Sequence, residues 1–180
     1  MIIILSFFIY FLWKIPLIGF ITKFLFGTKP NLQGTWLGKL NYNYEKKGQE
    51  KDVFLVIEQK NGYSMNIWLL TNERKSSSTF SEITLQDGSQ RIIYTYKHEK
   101  ALINKEKNPP HEGFCYLDID MASKILSGKY FTDRETFGEL KFDRRNGKVV
   151  KNYDAANRLF KMCRFLKFLG LYKTHKKYMR

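Results

Sequence analysis

Val53-Phe54-Leu55-Val56-Ile57-Glu58-Gln59-Lys60-Asn61-Gly62-Tyr63 is the stretch on which the fold turns. A run of β-branched and aromatic residues ends at Asn-Gly, the pair that best accepts positive φ at both central positions of a two-residue hairpin turn. Val53–Gln59 therefore reads as a strand, and Tyr63–Thr71 as its antiparallel partner. The same reading extends in both directions. Upstream, Gly34–Tyr44 sets Trp36, Leu40, Tyr42 and Tyr44 against Lys39, Asn41 and Asn43, the period-two alternation of a half-buried strand. The polar stretch Glu45–Glu50 connects the two. Downstream come Ser76–Leu85, an Asp87-Gly88 turn, Arg91–Lys97, Gly113–Asp120, Ile125–Thr132 and Thr136–Phe142. Evenly spaced strands with no helix between them fit a sandwich or a barrel. The expectation is an all-β domain, an eight-stranded antiparallel up-and-down β-barrel of lipocalin-like build. Eight strands leave room for one small ligand.

The longest break, Glu99–His111 with Asn108-Pro109-Pro110, has the length of a lid or binding loop. Gly38, Gly128 and Gly138 interrupt strand patterns, either as bulges that bend the sheet or as backbone making room for a ligand. Trp36 reads as core and resembles the barrel-floor tryptophan of lipocalin-type folds; the place of Trp68 is open.

The net charge is +14, but from Arg144 to Arg180 twelve Lys and Arg face the single acid Asp154. The strands are thus close to neutral and the tail is the basic element. Cys115 and Cys163 share no spacing with each other or with His98, His111 and His175, which argues for reduced thiols and against a metal site. Asp118, Asp120, Asp133 and Glu135 make no pair suited to acid–base work, and no phosphate loop or nucleophile elbow occurs. The chain is expected not to be an enzyme and to need no cofactor.

The two ends differ from the middle. Met1–Phe26 carries only Lys14 and Lys23, and through Ile21 its apolar run reaches the length of one membrane span, with Pro16 as a kink. A secretory signal peptide and a pair of half-segments split at Lys14 are the competing readings. The cation excess on its C-terminal side places the strands in the cytoplasm. Ala155–Tyr172 reads as a helix with Leu159, Met162, Cys163, Leu166 and Leu169 on one face and Arg158, Lys161, Arg164 and Lys167 on the other. Such a helix suits an anionic leaflet; the alternative is a helix packed across the barrel mouth. The domain expectation is 1–28 transmembrane segment, 29–145 cytoplasmic barrel and 146–180 basic tail with an amphipathic helix.

Pro30-Asn31-Leu32-Gln33-Gly34-Thr35-Trp36-Leu37-Gly38, directly after the apolar lead, resembles the opening of the membrane-associated β-barrel effectors of bacterial CBASS antiphage systems, the SMODS-associated two-transmembrane, β-strand-rich family. Val53–Gln59 looks like that family's second strand, Ser76-Ser77-Ser78-Thr79-Phe80 like its serine-rich strand and His111-Glu112-Gly113 like its His-x-Gly start. Leu126-Ser127-Gly128-Lys129-Tyr130-Phe131-Thr132-Asp133-Arg134-Glu135-Thr136-Phe137-Gly138 looks like its closing hairpin. The resemblance covers about Pro30 to Arg145. It implies a barrel that binds a cyclic dinucleotide made by a partner nucleotidyltransferase, then a homo-oligomer that damages the bacterial inner membrane. The chain departs from the family in having room for one full span rather than two, and in its basic tail.

A cyclic dinucleotide presents two phosphates and two flat bases, so aromatic faces and Arg, Ser, Thr or Tyr donors are the groups to seek. The candidate ligand-binding residues are Tyr94, Tyr96, Tyr130, Thr132, Arg134 and Thr136. Arg134 in its turn suits a bidentate phosphate contact, or is a solvated surface arginine. Either face of the Tyr94–Tyr96 strand fits the interior. A membrane-tethered, lipocalin-like carrier of an apolar ligand is the rival reading; it requires an unbroken apolar lining. The tail alone would suit nucleic acid, but no nucleic-acid partner is expected; membrane lipids are.

Overall fold

The computed structural model describes residues 30–42, 49–59, 64–99, 111–120, 122 and 124–168; from Asn31 onward they belong to one compact unit. Eight strands follow in order: β1 Gly34–Tyr42, β2 Gln49–Gln59, β3 Met65–Leu70, β4 Lys75–Gln86, β5 Ser89–Glu99, β6 Glu112–Asp120, β7 Ile125–Thr132 and β8 Phe137–Asn146. Each pairs antiparallel with the next and β8 returns to β1, so the sheet closes into an up-and-down barrel. The expected barrel is present, and the sandwich is excluded. The Asn61-Gly62 turn, most of the Glu99–His111 connection and the apolar lead lie outside the described residues. No helix among the described residues is long and apolar enough to cross a membrane.

Several strands are longer than their apolar runs. β2 begins at Gln49 rather than Val53 because Lys39 of β1 bridges Glu50 and Asp52 at 3.0 and 2.9 Å, which extends the ladder through polar residues. β8 runs on to Asn146 because Arg144–Asn146 pair with Thr35–Leu37. The Asp87-Gly88 turn has the expected form, with φ of +50° and +76° between the paired residues Gln86 and Ser89.

Alternation decides what fills the barrel. Trp36, Val53, Leu55, Ile57, Ile67, Ile92, Leu117, Leu126, Leu140 and Phe142 turn inward and form the core. Trp36 is core, as expected, with its indole Nε1–H donating to Leu32 O at 3.0 Å. Between β3 and β4 the backbone ladder covers only Trp68–Leu70 against Lys75–Ser77. Beyond it serine side chains continue the seam: Ser78 Oγ accepts from the Ile67 N–H at 2.9 Å, and Ser81 Oγ donates to Met65 O. The serine-rich strand is thus a hydrogen-bonding edge.

The strand glycines serve different ends. At Gly38 the β1–β8 register shifts, the bulge anticipated there. Gly128 and Gly138 sit in unshifted ladders, so they are not bulges. A side chain at Gly138 would collide with Asn41 O and the Tyr130 ring, and one at Gly113 with the Tyr96 ring and Phe131 O. The room they make is occupied by the protein's own tyrosines.

The tail helix, α1 (Tyr153–Phe168), packs on the outside of the barrel. Asn152 caps it, its Oδ1 accepting from the Ala155 N–H at 2.8 Å, so it starts two residues earlier than the apolar spacing indicated. Ala156 and Phe160 meet Leu37, Phe54, Val56 and Leu70, with Phe54 5.3 Å from Tyr153 and 5.6 Å from Phe160 between ring centroids. The expected apolar face holds at Leu159, which is buried, and at Cys163, whose Sγ accepts from Asn146 Nδ2 at 3.4 Å, and is corrected at its edges. Phe160 lies in the contact and Met162 is 49% exposed, because the face is fixed by the outward residues of β1–β3. The helix does not cross the barrel mouth along its described contacts.

Gly113→Ala should destabilise the barrel by about 1–3 kcal/mol through overpacking against Tyr96 and the β7 backbone. Chemical denaturation of the full chain checks this; a variant as stable as the parent would contradict the packing described.

Candidate ligand-binding site

The inward residues change character along the barrel axis. In one transverse row Ile83, Ile92, Leu117, Gly128 and Leu140 are successive partners. The next row toward the β7–β8 turn is Ser81, Tyr94, Cys115, Tyr130, Gly138 and Tyr42. After that come Ser78, Tyr96, Gly113 and Thr132, and then Ser76 and His98. One half of the interior is thus aliphatic, while the half nearest the β7–β8 turn is lined by hydroxyls and rings.

Tyr94 and Tyr96 are buried, 6.0 Å apart between ring centroids, which settles that this face of β5 points inward. Tyr130 and Thr132 share the inner face of β7, and Thr132 stands two partners across from Tyr96 by way of Gly113. The turn after Thr132 is held by short bonds. The Thr132 and Thr136 hydroxyls lie 2.6 Å apart, the Thr132 N–H donates to Thr136 O at 2.9 Å, and the Arg134 N–H donates to Thr132 Oγ1 at 3.3 Å. Glu135 takes φ of +58°, a left-handed position costly for a side-chain-bearing residue. Arg134 and Thr136 are therefore fixed at the same end as Tyr96 and Tyr130, while Tyr94 lies one row deeper.

Two further residues belong to this end. His98 and His111 stack at 4.7 Å between centroids with an interplanar angle of 17°. The His98 N–H donates to His111 O at 3.0 Å, and Ser76 Oγ is 3.3 Å from His98 Nδ1. Read by sequence distance these histidines are scattered. The signal was the strand register, because Lys97 pairs with Glu112 and the histidines are the next step of that ladder. No group of three metal-ligating side chains occurs among the described residues.

Burial controls the charge of the lining. Desolvation pushes the Tyr130 hydroxyl up to about 12, and also raises Tyr96 and Tyr94, the latter bonded to Cys115. Burial lifts the Cys115 thiol to about 12, against a smaller lowering effect of Tyr94. At neutral pH the wall presents uncharged O–H donors and no carboxylate among these inward residues. That suits an anionic ligand with flat rings, with Asp133 of the adjoining turn, which also acts on Tyr96, as the nearby opposing charge. A shallow outer groove of about 480 Å³ over β6–β8 and β1 carries Lys39, Lys129 and Lys141, but also Glu50, Asp118, Glu139 and Asp143, and those acids oppose a phosphate.

A closed eight-stranded barrel with one polar, ring-lined end is a build that can hold one small ligand. The family model for "Cap15, cyclic dinucleotide receptor domain" matches residues 28–144, and the chain belongs to that family. This is the CBASS effector family that its opening and its closing hairpin resemble. The chain is similar to CD-NTase-associated protein 15 of Staphylococcus schleiferi, 29% identical over 132 residues that cover 73% of this chain and 67% of that protein.

The raised hydroxyl and thiol give an alkaline test. The folded state holds these protons more tightly than the unfolded chain, whose Cys and Tyr titrate near 9.0 and 10.0. Their contribution to stability is complete below about pH 9 and is lost as pH rises toward 12. The melting temperature should be level from pH 7 to 9 and fall above it, and Tyr130→Phe should make that fall shallower. An alkaline limb identical in the parent, Tyr130→Phe and Cys115→Ala chains would contradict the assignment.

Proposed function

We propose that this protein is a membrane-anchored effector of a CBASS-type antiphage system, whose barrel takes up a cyclic dinucleotide from a partner nucleotidyltransferase at the end lined by Tyr96, Tyr130, Thr132, His98 and His111. Occupancy leads to oligomerisation, and the N-terminal apolar segment then disrupts the inner membrane and ends the infection. The barrel faces the cytoplasm, and the protein acts by binding rather than by catalysis.

The observation that carries this reading is the uncharged hydroxyl-and-ring lining within the residues matched by the family model. Tyrosine faces stack on bases and O–H groups donate to phosphate oxygens. Arg134 supplies the cation at the rim. The rival, a tethered carrier of an apolar ligand, requires an unbroken apolar lining. Ser76, Ser78, Thr132 and the tyrosines break it, and Trp36 and Phe142 already occupy the aliphatic half.

Calorimetric titration of the detergent-solubilised full chain against a panel of cyclic dinucleotides tests the proposal. The full chain is preferable to a fragment ending at Arg145, which would strip α1 from Phe54 and Val56. One panel member should bind saturably, and Arg134→Ala should weaken it about ten- to a hundredfold, as expected for a charged phosphate contact, with the melting temperature unchanged. Saturable binding that Arg134→Ala leaves intact removes this residue. No binding by any member refutes the sensor reading.

A further inference from the structure

The outside of the barrel is covered unevenly. On β1–β3, α1 lies over Leu37, Phe54, Val56 and Leu70. On the opposite wall the strands present an uncovered aromatic row. Phe114 of β6 is the cross-strand partner of Phe131 of β7, which is the partner of Phe137 of β8. In the other direction Phe114 pairs with Thr95, and Thr95 with Phe80. The four phenylalanines face outward and are between 41% and 54% exposed. Tyr116 widens the row, its ring stacked 6.5 Å from that of Phe131.

Outward positions of a water-facing strand are expected to be polar, and four phenylalanines at one level are not isolated exceptions. With strands about 4.8 Å apart the row spans roughly 20 Å. With about half of each ring exposed it offers several hundred Å², a large part of the roughly 800 Å² per partner of a stable interface.

Charge around the row selects the occupant. Lys97 and Glu112 flank it on one side, 2.9 Å apart, and Lys129 and Glu139 on the other, 3.7 Å apart. An anionic bilayer would meet a carboxylate beside each cation. A second copy of the same surface, turned by a two-fold, brings alternating signs against alternating signs around an apolar centre. We infer that the Phe80–Phe114–Phe131–Phe137 row is a self-association surface, on which barrels of two copies of this chain pack against each other. It gives the proposed oligomerisation a contact on the barrel itself. The row uses none of the candidate ligand-site residues, so the pairwise contact precedes occupancy, and occupancy extends such pairs into the larger assembly.

Photocrosslinking in membranes tests this. Benzoylphenylalanine in place of Phe131 in the full unliganded chain should yield a band of twice the monomer mass. The same probe at Lys148, exposed just beyond the other end of β8, should not. Adding Phe114→Ser to the probe-bearing chain should lower the crosslinked fraction roughly tenfold, the loss expected of a central aromatic contact. Adducts to phospholipid alone at Phe131 would make the row a membrane contact and overturn the inference. So would crosslinking no stronger than at Lys148 while sedimentation still shows an oligomer; that result would leave oligomerisation standing and remove only this surface.

Discussion

Everything in this barrel depends on the ladder that brings β8 back to β1. Without it the sheet has two open edges and no inside. The closure is fastened at one end by a small cluster. Arg145 lies 5.2 Å from the centre of the Trp36 ring, and its guanidinium donates to Gln33 O and Asn31 Oδ1. Trp36 in turn donates to Leu32 O, so the segment before β1 is tied to the end of β8. Thr35 adds a second tie, its hydroxyl donating to Lys148 O at 2.7 Å and accepting from the Val150 N–H. That tie leads the chain out of the barrel and onto the helix that covers Phe54.

Closure makes the interior a gradient. Trp36, Leu126 and Phe142 fill the fastened end with apolar volume, and the rows at the other end carry the hydroxyls, the stacked imidazoles and the Thr132–Thr136 turn. Residues of β7 and β8 thereby have two duties. Thr132 and Tyr130 look inward at the candidate site, while Phe131 and Phe137 look outward from the same hairpin. A ligand held from within would bear on the strands that carry the outer aromatic row.

Much of the architecture was legible because strand burial has a period of two and closed sheets bury alternate residues. Trp36 announced itself as core and Asp87-Gly88 as a turn, while the all-apolar Val53–Ile57 run displayed no face. The faces of β5 were not legible, since Arg91, Ile93 and Thr95 alternate with residues as plausible for the core as Tyr94 and Tyr96; only the burial of the two tyrosines in the closed barrel resolved them. The helix was found and Leu159 of its expected stripe is buried, but Phe160 was missed, because it is selected by Phe54 across the gap and not by periodicity within the helix. His98 and His111 stayed apart in the sequence for the same reason: register, which one chain alone does not display, makes them neighbours.

The central claim is that the polar end of the barrel interior, not its outer groove, receives the ligand. A crystal structure of the full chain with whichever cyclic dinucleotide binds it tests this most directly. The account predicts the bases against Tyr96, Tyr130 or the His98–His111 stack, and a phosphate near the Thr132–Thr136 turn. Density in the outer groove beside Lys39, Lys129 and Lys141, with the barrel interior unchanged, would contradict it.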